Sequence, residues 1–191
     1  GGKPGWYDAL NGLPGLLGSS MAETYELGRK LAYTLSVLEK YPGKYTMLEE
    51  TAVFMEQVAE TVREEKASLL RDNEVAGYWN KVCDIKEAYW EKVYDGVSGN
   101  TAEKESGKLA EILELFLEIV QTGIEKACAM EDGICPTYFS FDVTDYTEEK
   151  DGILPKHFAV KKIPLFLEGP VRFLKLDRTA EEKKKLYEKV K

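Results

Sequence analysis

From Ser20 to Met130 the apolar residues of this chain recur every three or four positions, the period of an amphipathic helix. Leu27, Leu31, Leu35 and Leu38 form the first stripe. The capping-box pattern Ser20-x-x-Glu23 opens it and Tyr41-Pro42-Gly43 closes it. A second capping-box pattern, Thr46-x-x-Glu49, leads into Leu48, Ala52, Met55, Ala59 and Val62, with Glu56, Glu60, Arg63 and Glu64 opposite and a stop near residues 71–73. The third stripe, over residues 73–94, runs through Val75, Tyr78, Val82, Ile85, Tyr89 and Val93, and places Trp79 and Trp90 at the rim of a core. The fourth, over residues 102–130 with Thr101 as N-cap, carries Leu109, Ile112, Leu113, Phe116, Ile119, Val120, Ile124 and Ala127. So wide an apolar face implies burial on more than one side. An interior glycine costs a helix about 1 kcal/mol against alanine, so Gly123 reads as a close helix approach.

After Gly133 the period changes. Residues 137–144 alternate, with Phe139, Phe141 and Val143 on one face and Tyr138, Ser140, Asp142 and Thr144 on the other, which predicts a strand. Residues 157–160 are its expected return strand, and residues 161–176, with two prolines, an irregular connection. An insert of this length is longer than a helix–helix join needs, and suits a lid or rim. Thr179-x-x-Glu182 then opens a last helix.

The expected organisation is one domain or domain fragment: a glycine-rich loop over 1–20, four helices over 20–130, a β and irregular insert over 131–178, and the start of a further helix over 179–191. The expected fold is mainly α. It is part of an α/α toroid or barrel of antiparallel helix pairs, with a small β-hairpin insert near 137–160; a free-standing helical bundle with a hairpin fits the same pattern.

Hydrophobic residues make up 43% and charged residues 31%, an ordinary globular balance. The net charge of −8 and the lack of a basic stripe argue against nucleic acid, and no apolar run approaches the ~18 residues a membrane span needs. Lys183, Lys184 and Lys185 sit among glutamates and read as a solvated helix face. Cys83, Cys128 and Cys135 form no CxxC pair, and with His157 the only histidine no metal site is expected. Unpatterned cysteines read as idle thiols in a reducing cytoplasm. The chain opens inside a motif and closes inside a helical pattern, so it reads as part of a longer polypeptide, inactive alone. The remainder of that chain is then a partner, and apolar surface left bare would promote self-association.

The glycine-rich loop holds the candidate site. Trp6 and Tyr7 each offer a flat apolar face with a polar tip, which suits the C–H face of a sugar ring. Asp8 can handle a proton, its pKa raised by a neighbouring indole, and Asn11 can both donate to and accept from hydroxyls. The same residue types also make ordinary Asx turns, so both readings stay open on composition alone.

The sequence Gly5-Trp6-Tyr7-Asp8-Ala9-Leu10-Asn11-Gly12 resembles the catalytic loop of the cellobiose phosphorylase group (glycoside hydrolase family 94), usually G-D-W-N-D-G-M-N. Residues 13–27, LPGLLGSSMAETYEL, continue the likeness to large bacterial members, and beyond about the first 30 residues it is thin. Aligned on the second Asp, Asp8 falls where the family keeps its general acid, while Trp6 and Asn11 match the Trp and final Asn. Gly5 stands in place of a substrate-binding Asp and Tyr7 in place of the first Asn. The resemblance implies an (α/α)6 barrel and an inverting disaccharide phosphorylase acting on a disaccharide or oligosaccharide. Such an enzyme uses inorganic phosphate as co-substrate and needs no other cofactor. One carboxylic acid protonates the glycosidic oxygen while phosphate attacks the opposite face of the sugar. The alternatives are an inverting glycoside hydrolase on the same fold, which needs a second carboxylate, and a non-catalytic helical interaction module. His157 reads as a strand-pairing histidine before a phosphate contact, and Arg172 as a structural ion pair before an anion site.

Overall fold

A computed structural model describes residues 18–69, 75–130, 133–150, 152–163, 166–176 and 178–191. In chain order the described elements are β1 (Gly18–Ser20), α1 (Met21–Lys40), β2 (Lys44–Leu48), α2 (Glu49–Leu69), α3 (Val75–Val93), β3 (Thr101–Glu105), α4 (Ser106–Met130), β4 (Tyr138–Glu149), β5 (Gly152–Lys162), α5 (Glu168–Phe173) and α6 (Ala180–Val190). The strands make two antiparallel sheets, one of order β1-β4-β5 and one pairing β2 with β3. This is a small fold of helices and antiparallel sheets. The expected (α/α)6 toroid is not what the chain forms. A barrel helix must be covered on two sides, yet α3 contributes no buried residue among its described side chains. Trp79 and Trp90, expected at a core rim, are 63% and 55% exposed, and Lys86 lies over the Trp90 ring at 4.9 Å.

The chain forms two compact units, one of residues 31–119 and the other of residues 1–30 and 120–191. α1 and α4 each give one half to each unit. The wide apolar face of α4 follows from that division. Leu109, Ile112 and Leu113 are buried in one unit, Ile124 and Ala127 in the other. Gly123 is exposed, and a Cβ built on it would meet nothing within 4 Å, so it marks no close approach. Gly123→Ala is therefore expected to raise stability by about 0.5–1 kcal/mol, as a shift of the urea midpoint at unchanged slope.

In the unit of residues 31–119, α2 and α3 pack side by side through Phe54 and Tyr89, whose ring centroids are 4.8 Å apart. Lys81 of α3 bridges to Glu65 of α2. The expected helix starts at Thr46 and Thr101 are instead strand residues, paired from Lys44↔Glu105 to Leu48↔Thr101. Thr46, in a Thr-x-x-Glu pattern, and Thr101 serve short strands as readily as caps, because each segment alternates exposed and half-buried side chains. The ribbon then supplies the partners that capping side chains would have given α2 and α4. The Glu49 N–H donates to the Asn100 carbonyl at 3.0 Å and the Ser106 N–H to that of Gly43 at 2.8 Å.

Glu50, in the first turn of α2, is buried and accepts the Ser98 N–H at 2.8 Å, while its other oxygen has no partner. The Ser98 hydroxyl and N–H, then Glu50's own N–H, hold its carboxyl down at about 2. A depressed carboxylate contributes stability that is present above its unfolded pKa, near 4.3, and is lost as pH falls toward 2. Acid titration of stability between those values should therefore be shallower in Glu50→Gln than in the wild type. An unchanged slope would show that Glu50 is not a source of the acid sensitivity.

In the other unit, Met21, Tyr25, Ile124, Ala127, Cys135, Phe139, Phe173, Leu176 and Leu186 form the core. The segment expected to be a lid or rim is therefore structural: its inner residues fill this core. Its outer part is the hairpin of β4 and β5, in which β4 runs five residues further toward the turn than the alternation showed and β5 is longer at both ends, with register shifts between Val143 and Tyr146. The expected irregular stretch before Leu176 contains α5, where Pro170 sits in the first turn and removes no helical hydrogen bond. The Thr179 capping box is present in full at α6, the Thr179 side chain accepting from the Glu182 N–H and the Glu182 carboxylate from the Thr179 N–H.

Candidate functional site

The candidate residues Trp6, Tyr7, Asp8 and Asn11 lie outside the described residues. The described chain begins at β1. β1 pairs with β4 as Gly18↔Ser140, Ser19↔Phe139 and Ser20↔Tyr138. Immediately after β1, the Met21 N–H donates to the Thr137 carbonyl at 2.8 Å, and one turn later the Tyr25 hydroxyl donates to the Pro136 carbonyl at 3.0 Å. The Thr137 hydroxyl donates to the Phe166 carbonyl at 2.5 Å and accepts the Gly169 N–H at 2.7 Å. Residues 136–137 thus tie together β1, α1, β4 and α5. Loops that carry function need such a base, because a side chain is positioned only as well as the backbone that leads to it.

Arg172 of α5 holds Glu26 of α1 at 3.1 Å and Glu168 at 2.9 Å, so its guanidinium is engaged in a structural ion pair. His157 sits across from Asp145 on the exposed hairpin, its Nδ1 2.7 Å from the Thr144 hydroxyl.

One cluster escaped sequence reasoning. Cys128, near the end of α4, and Cys135 have Sγ atoms 2.7 Å apart. The Gly133 N–H donates to the Cys128 carbonyl at 2.7 Å, and Gly133 has φ +78°, a conformation glycine tolerates. That reversal folds Cys135 back onto the helix it has just left. Cys135 is buried and Cys128 half-buried. Both face a cavity of about 390 Å³ between the end of α4, Phe173 and α6. Arg178, Lys185 and Lys189 line it together with Glu125 and Glu182, and the Arg178 guanidinium lies 5.4 Å from the centre of the Phe173 ring.

The hydrogen bond from Cys135 favours the Cys128 thiolate. Against the opposing effect of burial, it acts with the Arg178 charge and the Tyr25 hydroxyl to hold the Cys128 thiol below its ordinary range. The same contact, then burial, pushes the Cys135 thiol up. Burial, followed by the two sulfurs, pushes the Tyr25 hydroxyl up, so it stays protonated and able to donate. The pair is therefore one half-buried sulfur whose thiolate is favoured and one buried thiol in contact with it. The sequence signal was the spacing of the two cysteines across Gly133, which follows the end of a helix.

No protein-family model matches the chain, and no curated protein matches it. Among the described residues no group of three or more His, Cys, Asp or Glu is placed to hold a metal ion, and no helix is long and apolar enough to cross a membrane.

Proposed function

We propose that this chain is a segment of a carbohydrate-active enzyme that cleaves a β-glycosidic bond with inorganic phosphate and inverts the anomeric centre. The observation that carries the reading is the sequence Gly5-Trp6-Tyr7-Asp8-Ala9-Leu10-Asn11-Gly12, in which one carboxylic acid follows two aromatic residues and precedes an amide by three positions. Asp8 is the general acid, Trp6 and Tyr7 stack on sugar, and Asn11 bonds a hydroxyl. Only one protein carboxylate is needed, because phosphate takes the place of the base-activated water of an inverting hydrolase. The chemistry needs no barrel, and none is invoked. We place the activity in a reducing cytoplasm, a reading supported by three cysteines that are all free thiols.

Phosphate dependence tests the reading. The protein that contains this sequence, given a panel of β-linked disaccharides, should form an α-sugar 1-phosphate only when phosphate is present. Free sugar released at the same rate without phosphate would make it a hydrolase instead.

A further inference from the structure

We propose that Cys128 and Cys135 are a redox-active dithiol that a hydroperoxide converts to an intramolecular disulfide. The site is separate from the carbohydrate reading and does not depend on it. Its geometry sets it apart from idle thiols. The sulfurs are 2.7 Å apart, against about 2.05 Å in a disulfide, so closing the bond needs only a small movement. The cavity reaches both of them, and its volume of about 390 Å³ admits a peroxide or a small organic hydroperoxide. Arg178 lines the same cavity and supplies positive charge on the side from which the oxidant enters. Cys83, in the other unit, is a free thiol and serves as an internal control.

The steps balance. The Cys128 thiolate attacks one peroxide oxygen, the O–O bond breaks, and the departing hydroxide takes up a proton to leave as water. Cys128 is oxidised by two electrons to the sulfenic acid and the peroxide is reduced. The Cys135 sulfur, already in contact, attacks the Cys128 sulfur; the S–S bond forms and the S–O bond breaks. The second hydroxide leaves as water with the proton of Cys135. Two thiols and one hydrogen peroxide give one disulfide and two waters. Cys128 is half-buried and Cys135 buried, so Cys128 is the more open of the two to the oxidant, which fixes the order of the two roles.

Peptide mapping of the intact chain tests this. Cys128 and Cys135 fall in one tryptic peptide, residues 127–150, and Cys83 in another, residues 82–86. After treatment of the folded protein with hydrogen peroxide, the remaining thiols are blocked with N-ethylmaleimide in denaturant. The peptide 127–150 is expected without maleimide and about 2 Da lighter than its reduced form, gaining two maleimides once treated with dithiothreitol, while 82–86 is alkylated throughout. In Cys135→Ser, dimedone should trap a sulfenic acid on Cys128. Should that variant fail to fold, the wild-type map decides alone. Two maleimides on peptide 127–150 after peroxide, or a sulfinic acid on Cys128 with Cys135 still alkylated, would overturn the proposal.

Discussion

Replacing Gly169 by Ala should lower stability by about 3 kcal/mol or more, near the upper end for overpacking. For a chain of this length that is a fall in Tm of roughly 6–12 °C. A Cβ on Gly169 would lie 2.4 Å from the Pro136 carbonyl oxygen, 2.6 Å from its carbon and 2.7 Å from the Thr137 nitrogen. All three are backbone atoms and cannot swing aside as a side chain end does. They are also held from the other direction, by the Tyr25 hydroxyl on Pro136 and the Met21 N–H on Thr137. Either α5 withdraws, taking Phe173 and Leu176 with it, or the bonds that anchor β1 and α1 are lost. The Gly169 N–H bond to the Thr137 hydroxyl is strained in both cases. Gly123→Ala, the same substitution in an open helix face, is expected to have the opposite sign. Thermal unfolding of the two variants side by side reads the difference. A Gly169→Ala protein within about 1 kcal/mol of the wild type would mean the approach to Pro136 is looser than this.

The second large effect is on catalysis. Asp8→Asn keeps the size and shape of the side chain and removes the proton it would give the leaving oxygen. General acid catalysis contributes about 10²–10⁴-fold, so kcat/KM on a disaccharide should fall by about 10³-fold, or about 4 kcal/mol of barrier. The fall should be in kcat more than in KM, because the proton is needed in the transition state and not for binding. A loss carried wholly by KM would make Asp8 a binding residue.

The helices were readable because their apolar period is local: a stripe such as Ala52, Ala59 and Val62 needs no knowledge of its partner. The β2–β3 ribbon was not, since each strand has only five residues and pairs with one far along the chain, from Lys44↔Glu105 to Leu48↔Thr101, and the Thr46-x-x-Glu49 pattern imitates a cap. A toroid followed from counting amphipathic helices. What counting could not supply was how many sides of each helix are covered, and α3, with its exposed Trp79 and Trp90, is covered on too few. Gly123 was expected to mark a close approach and Gly169 lay in the expected irregular stretch, yet it is Gly169 that makes one. Only the position of the Pro136 carbonyl separates a permissive glycine from an obligatory one. For the candidate site, Trp6, Tyr7, Asp8 and Asn11 rest on the sequence alone, whereas the Cys128–Cys135 pair emerged from the chain reversal at Gly133, which spacing hints at and geometry establishes.

The claim that Asp8 is a general acid in phosphorolysis is tested most directly by changing how much the leaving group needs a proton. Wild type and Asp8→Asn are compared, with phosphate, on a β-linked disaccharide and on the matching β-glycoside of dinitrophenol, whose phenolate departs unprotonated. The account predicts a loss of about 10³-fold on the disaccharide and less than about tenfold on the dinitrophenyl glycoside, both giving the same α-sugar 1-phosphate. Equal losses on the two substrates, or no sugar phosphate from either, would contradict it.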